Sequence, residues 1–174
     1  MLGKKKKSAL EQFQKNAAGE YIYTGKHYGF VCQKKSRKRA LLELWGLGAA
    51  MTGCSLGPGM FPAPGTVNTF YVLIPMAAGM IAAMAFLWAL GQLSVEGDPM
   101  KEYVYEASVI KMPGRLTAVT VFSVLTILCE MLFLCLNGGW GLPIVGVLLL
   151  EAGAAMLAQV TKRTLSGLEW QEKG

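Results

Sequence analysis

Charge is scarce in this chain. Of its 174 residues, 16% are Asp, Glu, Lys or Arg, against about 25% in an ordinary soluble domain. Between Thr69 and Leu93 there is none. A helix exposed to water needs a polar stripe along its length, and that block offers none. A soluble single domain is therefore excluded. The crowding of charges between apolar blocks likewise excludes a disordered chain and a coiled coil. Histidine is nearly absent, with His27 alone, which argues against histidine-paired metal, haem or quinone sites. The four cysteines, Cys32, Cys54, Cys129 and Cys135, form no CxxC pair, and three lie in apolar blocks. A disulfide framework and a zinc site are disfavoured on that ground. No metal and no cofactor is expected. HExxH does not occur and there is no second histidine to serve as a base or ligand, so an enzyme, such as one acting on lipid at the inner face, is the weakest of the functional readings.

What is present is apolar. Hydrophobic residues make up 53% of the chain and the mean hydropathy is +0.38. The apolar residues gather into four blocks, at about 40–57, 69–93, 116–136 and 142–160. A helix of about 20 residues spans the hydrocarbon of a bilayer. In lipid only helices and closed barrels satisfy their own backbone. The predicted fold is an all-α integral membrane four-helix bundle. The predicted organisation is a basic and aromatic segment over 1–39, a transmembrane domain over 40–160 with an inner loop at 94–115, and a polar tail over 161–174. A short helix is expected over 8–16. A small β-hairpin is expected within 20–31, where Tyr21 and Tyr23, then Tyr28 and Phe30, alternate about Thr24-Gly25. Lys4 to Lys7 precede no apolar core within 8–39, so no signal peptide is expected.

Charge also predicts orientation. The connections at 58–68 and 137–141 carry no charge, and all 17 Lys and Arg residues fall on the other side of the blocks. The positive-inside rule puts both termini and residues 94–115 in the cytoplasm, and the reading is a bacterial plasma membrane. The net charge of +6 then has anionic headgroups as its partner in preference to nucleic acid.

Four features are candidates for function. Glu130 and Glu151 are carboxylates inside apolar blocks, about 9 and 13 Å below the outer helix ends at 1.5 Å per residue. Hydrocarbon tolerates such a group as a neutral acid or with a partner, so the pair is a proton or cation site, a structural tie to Thr52, Ser55, Thr117, Thr120, Ser123 or Thr126, or a site engaging a partner protein. Small residues at Ala49, Gly53 and Gly57, and at Ala78, Gly79, Ala82 and Ala83, are candidates for close helix packing within the chain or in a homo-oligomer. Met76, Met80 and Met84 repeat every four residues, as a packing stripe or a groove for an apolar ligand does. Tyr21, Tyr23, Tyr103 and Tyr105 stand in two similar tetrapeptides, Glu20–Tyr23 and Glu102–Tyr105. They are candidates for docking a cytoplasmic partner. The leading functional reading is a subunit of a membrane complex, bound to another membrane protein or to its own copies. The alternative is a small oligomeric transporter or channel component using Glu130 and Glu151.

Overall fold

A computed structural model describes residues 13–15, 21–23, 25–31, 36–61, 63–139 and 141–173. Lys4 to Lys7, Cys32, Trp140 and the side chain of Tyr21 lie outside the described residues. Four long helices form: α1 at Arg37–Leu56, α3 at Phe70–Val95, α5 at Met112–Asn137 and α6 at Leu142–Ser166. A 3-10 turn at Gly57–Met60 and the short α2 at Pro64–Asn68 join α1 to α3. Between α3 and α5, α4 at Glu102–Tyr105 runs through a π turn at Glu106–Ile110 into α5.

The chain is a multi-pass helical membrane protein. Among the described residues three helices are long and apolar enough to cross a bilayer: Phe70–Val95, the continuous Glu102–Asn137, and Leu142–Ser166. Helix α1 has 20 residues but falls outside that set, because Arg39, Glu43 and its glycines dilute its apolarity. The expected count of four spans is shown for three.

Each long helix packs chiefly on two others, in the ring α1–α3–α5–α6, and every neighbouring pair is antiparallel. The buried residues of α3 include Val72, Met76, Gly79, Ala83, Phe86, Leu90 and Leu93. Those of α6 are Ile144, Val147, Glu151, Ala154, Ala158, Thr161 and Leu165. Steps of three and four alternate in both rows, as in the seam of a left-handed bundle. The opposite faces carry exposed Ile74, Ile81, Trp88, Val121, Leu128, Leu149 and Met156. Water would not tolerate so continuous an apolar face, and lipid is its natural solvent. At the α5–α6 turn Gly138 and Gly139 have φ of 66° and 89°, a left-handed backbone that favours glycine.

The polar segments differ from expectation. Phe13–Lys15 of the expected 8–16 helix is a strand, β1. Strands also form at β2, Tyr21–Tyr23, and β3, His27–Phe30, yet they do not pair with one another. β2 turns back on β1. β3 is the centre of a second sheet, antiparallel to β4 at Met100–Lys101 and to β5 at Trp170–Lys173. Aromatic packing explains the choice. Tyr28 stacks on Tyr105 at 4.2 Å and Phe30 meets Trp170 edge-on at 5.1 Å, contacts that a local hairpin would forgo. This sheet covers the end of the bundle where α1 begins and α6 ends.

Candidate functional site

The two carboxylates stand in adjoining seams. On α5 the buried row runs Met112, Leu116, Val119, Ser123, Thr126, Glu130 and Leu134. Its apolar ends flank a polar middle. Glu151 occupies the corresponding row of α6. Two hydrogen bonds fix the antiparallel register of the pair. Gln159 Nε2 donates to Thr120 Oγ1 at 3.1 Å and Lys162 Nζ donates to Thr117 Oγ1 at 2.9 Å. Continued along the helices, that register puts residue 130 level with residue 149. Glu130 and Glu151 therefore differ by about 3 Å in height, two residues at 1.5 Å each.

Glu130 is fully enclosed, at 0% exposure, and neither carboxyl oxygen has a hydrogen-bond partner. It lies against Gly65 of α2, where an added Cβ would collide with its carboxyl group. The absent side chain at 65 makes the room that Glu130 occupies. Glu151 is 2% exposed, and its polar neighbour is Ser123 on α5, although no bond of ordinary geometry reaches Ser123 Oγ. Among the described residues neither carboxylate forms an ion pair. Of the hydroxyls expected near them, Thr117, Thr120 and Thr126 donate to carbonyls of their own helix, as threonines in helices commonly do. Thr52 and Ser55 of α1 and Ser123 keep buried hydroxyls with no partner. The bundle thus encloses two acids and three unsatisfied hydroxyls on three helices. A bare charge in such apolar surroundings is expensive.

The other candidates fall as follows. Gly79 and Ala83 are buried, Ala78 and Ala82 half-buried, and a Cβ on Gly79 would meet Phe122. On α1, Ala49 and Gly53 are exposed, while a Cβ on Gly57 would press on Leu150. The inward face of α1 is set by Leu44, Gly48, Met51, Thr52 and Ser55, out of phase with the Ala49–Gly53 step. Of the methionines, Met76 is buried, Met80 half-buried and Met84 exposed. The two tyrosine tetrapeptides meet. Tyr23 packs edge-on to Tyr103 at 5.9 Å, and Glu102 N donates to Tyr23 Oη at 3.2 Å. Burial pushes the Tyr23 hydroxyl above its ordinary value. Nearby, the Glu172 carboxylate holds Lys26 above the usual ammonium range across a 2.9 Å bond. That pair is exposed and adds little to stability.

Gly65 and the three hydroxyls complete the site. Gly65 was hidden in sequence, because Pro64-Gly65 reads as a breaker and here it opens a helix. Among the described residues no group of three or more His, Cys, Asp or Glu is placed to hold a metal ion. Comparison with family models, curated proteins and solved structures finds no significant match, so the chemistry of this polar interior is the guide to function.

Proposed function

We propose that this protein spans the membrane four times, with both ends on the cytoplasmic side, and that Glu130 and Glu151 form an exchange site for a proton or small cation within a transport component. The reading is carried by Glu130, a carboxyl group sealed in the bundle with both oxygens unpartnered. Supporting it are the nearby Glu151 and the idle hydroxyls of Thr52, Ser55 and Ser123, which offer oxygens to a desolvated cation. Helix α1 is taken as the fourth span because it closes the ring antiparallel to α3 and α6. The test is reconstitution in liposomes containing a pH-sensitive dye, with a potential imposed by potassium and valinomycin. The parent is expected to move protons, or to exchange them for added sodium. Glu130→Gln and Glu151→Gln are expected to fall to the leak of empty liposomes. Undiminished flux in both variants would overturn the proposal.

A second reading, a subunit seated against another membrane protein, draws on the outward face of α1, where Gly46, Ala49, Ala50 and Gly53 are all exposed. One labelling experiment in a cysteine-free background addresses both topology and partner. Met60→Cys is expected to react with an impermeant maleimide from outside and Ser166→Cys only after permeabilisation. Ala49→Cys cross-links between chains only where a neighbour covers it. Labelling of positions 60 and 166 from the same side would refute the four-span arrangement. Absence of any cross-link at 49 in native membranes would refute a neighbour on that face.

A further inference from the structure

A groove of about 750 Å³ opens on the outside of the bundle, at the end covered by the sheet. Its floor is Gly91 of α3, and its walls are Trp45 of α1, Leu87 and Trp88 of α3, and Val104 of α4. Gly91 carries no side chain, and a Cβ there would meet nothing within 4 Å. Trp45 is fixed in place, its Nε1 donating to Ser94 Oγ at 2.9 Å.

Length and polarity together select an occupant. Along α3 the groove runs from Met84 to Val95, about 17 Å at 1.5 Å per residue. One leaflet of hydrocarbon is about 15 Å deep. The Met84 end is apolar, whereas the other end carries Gln92, Glu96 and Tyr103. Two cations touch Glu96 at that end, although neither lines the groove itself. Lys101 lies 3.9 Å from the Glu96 carboxylate. Arg37 closes the end of α3 by donating to the carbonyls of Leu93 and Glu96, and keeps its Nε buried with no acceptor.

We infer that this groove is a phospholipid site. One acyl chain lies between Trp45 and Trp88, and the phosphate stands at the rim beside Arg37 and Lys101. The lipid belongs to the leaflet on the side of the sheet, whichever way the protein faces, and the site stands apart from Glu130 and Glu151.

The test uses the full chain in nanodiscs of equal phosphatidylglycerol and phosphatidylcholine, released into mild detergent and weighed by native mass spectrometry. The parent is expected to retain one phospholipid, with phosphatidylglycerol preferred. Gly91→Trp fills the floor and is expected to cut retention about tenfold, which is about 1.4 kcal/mol of binding. Met84→Trp narrows the mouth from an exposed position and is expected to act in the same direction even if Gly91→Trp fails to fold. Lys101→Glu is expected to abolish the preference for phosphatidylglycerol. Parent-like retention in Met84→Trp and in folded Gly91→Trp would overturn the site. So would a parent that emerges lipid-free as a dimer, which would make a second copy the occupant.

Discussion

Glu130→Leu is expected to make the protein more stable. Glu130 is completely buried and both its carboxyl oxygens lack partners. Mutational data put the cost of burying an unsatisfied polar group at about 1–3 kcal/mol. Leucine is close to glutamate in volume, so the seam stays filled and the penalty is removed. Thermal unfolding in detergent is expected to rise by about 2–4 °C for each kcal/mol gained. Glu130→Ala removes the same penalty but leaves a cavity, and the two effects oppose one another. Under the exchange function proposed above, the gain in stability is expected to accompany loss of the flux. A Glu130→Leu protein less stable than its parent would show that the carboxyl group is a structural tie.

Phe86→Ala is expected to lower stability by about 3 kcal/mol, the low end of the range for deleting a buried phenylalanine. Phe86 is fully buried on α3 and faces Gly48 of α1, where a Cβ would stand 2.8 Å from the ring. In lipid the apolar transfer term between helices is small, and close packing carries the association. The expected loss is thus mostly the contacts of the cavity wall. Gly48→Val overfills the same place and is expected to cost about 1–3 kcal/mol. Because the two residues share one space, Gly48→Val with Phe86→Ala is expected to recover part of both losses. Unfolding titrations in mixed micelles would show the coupling, and strict additivity would deny that the contact joins α1 to α3.

The long helices were legible because charge-free stretches leave a chain few alternatives in lipid. Their facing was harder to read. In a lipid-exposed helix apolar residues occur all round, so the inward face is marked by small and polar side chains. Ser123, Thr126 and Glu130 mark it on α5, at steps of three and four. On α1 the same logic points to Gly48, Thr52 and Ser55, and the small-residue step at Ala49 and Gly53 lies on the other face. The strands were visible as alternation, but their partners were not. Pairing of β3 with residues 100–101 and 170–173 depends on which helix ends the bundle gathers. The tetrapeptides at 20–23 and 102–105 make the same point. Tyr21–Tyr23 is a strand and Glu102–Tyr105 a helical turn, so context overrides propensity. The groove was invisible for a related reason, since a glycine makes a floor only when its neighbours stand back.

The order of synthesis gives the second sheet a further meaning. Its central strand, His27–Phe30, is made before α1, and its outer strand, Trp170–Lys173, after α6. Until then a row of peptide groups on β3 stays open to whatever else offers a strand. Closure of that edge therefore waits until the start of α1 and the end of α6 stand on the same side, and a chain cut before residue 170 is expected to leave β3 unpaired along that edge.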